Sequence, residues 1–152
     1  MSTGDSYWFF GTLLTLKATG DDTDGRVMGP ENLAPRGAGS PLHVHHNEDE
    51  WFYVLEGELR LWVGGTTVEA PAGSFAFGPK DVPHTFEVAS DTACFLLVTQ
   101  PAGFESFVEL LGQPAPSLTI PPPMEPPADP TPLIEAAARF GIEILGPPGI
   151  PA

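Results

Sequence analysis

A single cysteine among 152 residues excludes an intramolecular disulfide. Cys94 sits in the apolar run Ala93–Val98, where a buried small hydrophobe is the expected role. Cations are also scarce: six Lys and Arg against twenty Asp and Glu leave a net charge of −14. A field of that sign repels phosphate backbones and anionic lipid heads, so no nucleic acid or membrane partner is expected. No apolar run approaches the roughly 18–20 residues of a membrane helix. The segment Tyr7–Leu14 is apolar, but no basic residue precedes it and no small-residue cleavage site follows, so it reads as a folded segment and the cytoplasm as the default location. A Ser-His-Asp nucleophile elbow, a phosphate-cradling Gly loop with Lys and a dinucleotide fingerprint are all missing.

Nineteen prolines and seventeen glycines are present in abundance, and through residue 101 they fall between short apolar runs. That punctuation belongs to an all-β fold. Strands are expected at Leu13–Thr19, Arg26–Met28, Leu42–Val44, Trp51–Leu55, Leu59–Val63, Thr66–Glu69, Phe75–Phe77, Thr85–Val88 and Phe95–Thr99. Asp21, Asp22 and Asp24 read as turn residues; they lack the spacing and closing Glu of a calcium loop. Glu56-Gly57 and Gly64-Gly65 read as hairpin tips, because Gly takes the positive φ such turns demand. Many short antiparallel strands close most economically into a small barrel.

After Pro101 the period changes. Phe104, Phe107, Val108 and Leu111 recur at helical spacing, with Gly112 placed to supply a left-handed cap. The stretch from Gln113 to Asp129 carries seven prolines and is expected to run extended over the barrel. Thr131 and Pro132 then open a second short helix that stops at Gly141 and ends the fold. Residues 1–112 are thus expected to form the barrel with the first helix, and 113–152 a tail and short helix packed on the same domain.

Three of the four histidines fall between Gly37 and Glu50. His43 and His45 are two apart, which in a strand puts both rings on one face about 6.6–6.8 Å apart along the backbone, close enough to share a metal ion. A turn through Asn47-Glu48-Asp49 could fold Glu50 back as an oxygen ligand, and His84, after the turn Gly78-Pro79-Lys80-Asp81-Val82-Pro83, completes a set of four. Three imidazoles and one carboxylate suit one divalent transition ion such as Fe, Mn, Ni, Co, Cu or Zn, with positions left open for a small molecule.

The same residues resemble the cupin family. Gly37, His43, His45, Glu50 and Gly57 match every position of its first motif; Gly73, Pro79 and His84 match its second, with Asp81 where Gly is usual and Val88 where Asn is usual. Tyr7-Trp8 with Gly11, Phe52–Gly57 and the closing Arg139–Pro148 resemble small bacterial cupins of the quercetin dioxygenase-like kind. The resemblance implies a jelly-roll β-barrel and a metal held by His43, His45, Glu50 and His84. It also implies a dioxygenase acting on an aromatic, flavonol or polyketide-like molecule, with Glu50 as catalytic base. Two other readings use the same centre: non-redox isomerase, cyclase, decarboxylase or lyase chemistry, and small-molecule binding without turnover.

Strand alternation assigns the neighbours. His46 points away from the ligand pair. Phe52 and Val54, with Leu61 and Phe86, are expected to wall the substrate pocket. Trp51, Tyr53, Leu55 and Trp62 face outward, an apolar set that fits a homodimer surface.

Overall fold

Alternation of buried and exposed residues organises the middle of the chain: Glu50, Phe52 and Val54 point inward, and Trp51, Tyr53 and Leu55 outward. The computed structural model describes residues 5–125 and 127–151. In chain order it forms β1 (Ser6–Phe9), β2 (Thr12–Ala18), α1 (Gly20–Thr23), β3 (Gly29–Pro35), β4 (Pro41–His45) and β5 (Asp49–Glu56). There follow β6 (Glu58–Val63), β7 (Thr66–Pro71), β8 (Phe75–Gly78), β9 (His84–Val88) and β10 (Thr92–Gln100). The remainder is α2 (Phe104–Leu111), β11 (Gln113–Pro114), α3 (Thr131–Ala138) and β12 (Ile142–Pro148).

The strands pair antiparallel in two sheets, ordered β11-β1-β2-β3-β10-β5-β8 and β12-β4-β9-β6-β7, a jelly-roll sandwich. Two apolar clusters fill it. One, including Phe52, Val54, Leu59, Leu61, Val88 and Phe95, packs between the sheets. The other, including Leu14, Met28, Phe104, Phe107, Val108, Ala137 and Ile142, joins the first hairpin to the two C-terminal helices and β12. No helix among the described residues is long and apolar enough to cross a membrane.

Several elements differ from expectation. The fold does not end at α3: β12 pairs with β4, setting Ile142 opposite His45 and Ile144 opposite His43. Gly146-Pro147-Pro148 hides this strand, since prolines suit only edge positions, and β12 is a sheet edge. β3 is likewise masked by Pro30 and Pro35, both near its ends, and the expected strand at Arg26–Met28 shrinks to a bridge between Met28 and Thr99. Asp21 and Asp22 belong to α1, a single turn, with the Thr19 amide donating to Asp22 Oδ2 at 3.0 Å.

Gly64-Gly65 does close the β6–β7 hairpin. Gly57, by contrast, turns a corner between sheets, at φ +79°, where a β-carbon would run into the Thr92 carbonyl, so no side chain fits. Gly112 is extended (φ −79°) and is no left-handed cap; Gly141 does take φ +71° where α3 stops. The proline-rich stretch starts along the β1 edge: Ala115 N donates to Ser6 O at 2.9 Å and Trp8 Nε1 to Thr119 O at 3.0 Å. Trp62 lies in the other sheet from Trp51, Tyr53 and Leu55, so these four do not form one surface.

Candidate metal centre

His43 and His45 project from β4 by the two-residue strand period, and His84 is the direct register partner of His43 on β9. Glu50 comes from β5 in the opposite sheet, brought across by the turn after His45. The loops are tied down locally. His46 N donates to Gly141 O at 2.8 Å, Asp81 N to His45 O at 2.9 Å, and Lys80 N to Asp49 Oδ1 at 2.8 Å. Asp81 adopts φ +67°, the conformation that the Gly usual at this position would take without strain.

All four side chains are buried, and each offers a ligand atom within 4.8 Å of the others. His43 Nε2 lies 3.1 Å from His45 Nε2; Glu50 Oε2 lies 3.0 Å from His45 Nε2 and 2.8 Å from His84 Nε2. Metal–ligand bonds of about 2.0–2.1 Å would let donor atoms this close together share one ion. The outer nitrogens are already engaged: Nδ1 of His43 with Pro41 O at 2.7 Å, of His84 with Val82 O at 3.1 Å, and of His45 with Glu48 Oε1 at 3.4 Å. With Nδ1 donating outward, the Nε2 lone pairs and a carboxylate face one another, an arrangement that only a positive charge satisfies.

The electrostatics agree. Burial disfavours charge on His45, but the Glu50 and Glu48 carboxylates overcome it and push its pKa up to about 10. Burial and the adjacent His84 push His43 down to about 4. Burial would raise Glu50, yet His45 and His84 hold its carboxyl well below the usual range. The donor set therefore fits a cation.

Above the centre opens a cavity of about 100 Å³, lined by His43, His45 and Glu50 and otherwise mostly by apolar side chains. Of the residues expected to wall it, only Phe86 does so. Phe52, Val54 and Leu61 share its inward orientation but lie in the packed cluster between the sheets. The cavity is walled instead by elements whose role in the site the sequence did not reveal: Phe9 and Phe10 of the first hairpin, Phe104 and Phe107 of α2, and Ile142 and Ile144 of β12. The Phe104 ring stands edge-on to His45, centroids 5.7 Å apart.

Glu48, placed by the sequence only in the turn, is buried against His45; an acid three places after a ligand carries no signal until the turn folds it inward. His46 points outward as expected, its ring between Asp81 Oδ1 at 2.8 Å and Glu143 Oε2 at 3.0 Å, and these two carboxylates raise its pKa.

A jelly-roll sandwich with a buried three-His, one-Glu cluster at the base of an apolar cavity defines a protein of the metal-site β-barrel class. Residues 31–99 match the family model described as the cupin domain. That stretch of the chain is a cupin domain. The chain is similar to quercetin 2,3-dioxygenase of Bacillus subtilis, 30% identical over 93 residues, covering 61% of this chain and 28% of that protein. The chain thus spans under a third of that curated relative. Among solved structures, a Salmonella typhimurium LT2 protein assigned to ethanolamine utilization (EutQ) is 32% identical, with TM-score 0.52 over 60% of this chain and 71% of that one. The polyketide cyclase RemF of Streptomyces resistomycificus is 28% identical, with TM-score 0.52 over 59% and 65%.

Proposed function

We propose that the protein is a metal-dependent enzyme in which His43, His45, Glu50 and His84 hold one divalent transition ion, and that it is a dioxygenase acting on an aromatic, flavonol or polyketide-like small molecule. The observation that carries this reading is the convergence of four buried donors at the floor of an apolar cavity. Similarity to a quercetin 2,3-dioxygenase supports the reaction class.

When bound, the ion supplies Lewis acidity and, for redox-active metals, electron-transfer capacity toward dioxygen. The chain does the rest. Pro41 O, Val82 O and Glu48 Oε1 orient the three imidazoles through Nδ1. Glu50 is ionised; Oε2 faces His45 and His84, while Oε1 makes no hydrogen bond among the described residues and can accept the proton of a substrate enol or phenol. The phenylalanine walls are apolar and favour a flat, neutral ring system.

Oxygen uptake tests this, with metal content measured first. Protein carrying its metal should consume dioxygen in step with loss of a flavonol, and Glu50→Gln should abolish turnover. Similarity to a polyketide cyclase favours a second, non-redox reading: cyclisation or a related reaction of a polyketide phenol with no oxygen consumed. Metal-loaded protein that transforms neither substrate class would refute both. We also propose a homodimer through the outer face of β5, where exposed Trp51, Tyr53 and Leu55 continue onto Phe75 and Phe77 of β8. Sedimentation at micromolar concentration showing only monomer would refute that.

A further inference from the structure

Most buried hydroxyls in this fold have partners: Ser6 Oγ and Thr15 Oγ1 lie 2.9 Å apart, and Thr85 Oγ1 donates to Ser40 O at 2.7 Å. Two polar side chains on the cavity wall differ. Thr12 of β2 is buried, yet its hydroxyl makes no hydrogen bond among the described residues. Asn32 of β3 is 4% exposed; its amide nitrogen lies 3.5 Å from Pro30 O, too long for a good hydrogen bond, and its oxygen has no partner. No fully enclosed polar side-chain atom among the described residues lacks a partner, so these uncommitted atoms are the ones left open to the cavity. Register places Leu13 opposite Leu33 and Leu14 opposite Asn32, which makes Thr12 and Asn32 diagonal neighbours on one inner face, about 7 Å apart.

We propose that Asn32 and Thr12 form a second polar subsite in the cavity, one that receives a neutral oxygen substituent, a hydroxyl or carbonyl, on the end of the substrate away from the three-His, one-Glu centre. This rests on reading the cavity as the substrate site. Amide and hydroxyl each donate and accept, so together they match a phenol or ketone. No Lys or Arg lines the cavity, so nothing there compensates an anionic group. The spacing sets the ligand's length. On β10, Thr99 faces Glu50 and Phe95 faces Asn32, four residues or about 13 Å along the strand, and β3 and β5 flank β10, which adds about 9–10 Å across the sheet. After side-chain reach is subtracted, a two- or three-ring molecule with oxygen at both ends spans the gap, and a single ring does not.

The test uses zinc-loaded protein, which binds without oxidising, and two probes differing by one distal phenol: 3-hydroxyflavone and 3,4′-dihydroxyflavone. The parent should bind the second about tenfold more tightly, the worth of one or two buried hydrogen bonds. Asn32→Leu, near in volume, and Thr12→Val should each shrink that ratio, and the double variant should bring it below about twofold. Asn32→Leu should also keep or raise Tm, because the amide's contact within the fold is the long one to Pro30 O. A ratio that persists in the double variant overturns the proposal. So does a Tm that falls for Asn32→Leu, since the amide would then be structural. Equal binding of both probes by the parent refutes the subsite alone, whereas no binding of either refutes the reading of the cavity as a flavonoid site as well.

Discussion

Glu48 offers a sharp test of how the centre is held. It is 5% exposed, its Oε1 lies 3.4 Å from His45 Nδ1, and His45 is buried more deeply still. As acceptor it keeps the proton on Nδ1, aims Nε2 at the centre and raises the basicity of that nitrogen. Loss of such a partner usually weakens metal affinity about 10–100-fold, equivalent to about 1.4–2.7 kcal/mol. At 3.4 Å the contact is long, so Glu48→Ala should fall near the tenfold end. Ala also leaves a buried N–H without an acceptor, at a cost of about 1–3 kcal/mol in stability. Glu48→Gln retains an acceptor oxygen and should lose less on both counts. Zinc titration against a competing chelator reads the affinity, and thermal melts with and without zinc separate it from stability. If Glu48→Ala binds zinc within twofold of the parent, the carboxylate does not position His45 and the argument fails.

Three further outcomes are expected. Gly57→Ala, at φ +79° with the Thr92 carbonyl in the way, should cost more than the roughly 1–2 kcal/mol of left-handed strain alone, read by urea denaturation; a loss within 0.5 kcal/mol, on the order of an ordinary surface change, would show that the corner can relax. Phe104→Ala, which removes a ring packed on Phe107 at 5.5 Å and on His45, should destabilise by about 3–5 kcal/mol, at the lower end because the cavity mouth admits water; a loss under about 1 kcal/mol would mean the ring is not packed. Burial and the nearby Glu31 push the Cys94 thiol up to about 11, so alkylation at pH 8 should be slow and should accelerate only as pH rises toward that value. Folding disfavours the thiolate relative to the ordinary value of 9.0, so this group costs stability only above about pH 9. Mass spectrometry showing rapid labelling at pH 8 would contradict it.

The ligand set was legible because strand period and motif spacing are local. His43 and His45 share a face by alternation, and Glu50 and His84 stand at the positions the cupin motifs require. The amphipathic period of α2 was equally plain, and Phe104, Phe107 and Val108 are indeed its buried residues. Where prolines and glycines crowd a strand, the pattern failed. β3 and β12 read as loop and tail because the residues that end most strands sit within their own bounds. Gly57 looked like a hairpin tip because positive φ serves a tight turn and a sheet-to-sheet corner equally well.

Alternation states that a side chain points inward; it does not state which interior it meets. Phe52 and Phe86 obey the same rule, yet one fills the closed core and the other lines the cavity. The amino-acid order alone determined an all-β fold and four donors for one cation. Tertiary structure decided what surrounds them, because the cavity is walled by the first hairpin, α2 and β12, segments outside the family core whose meeting depends on long-range packing that no local period encodes.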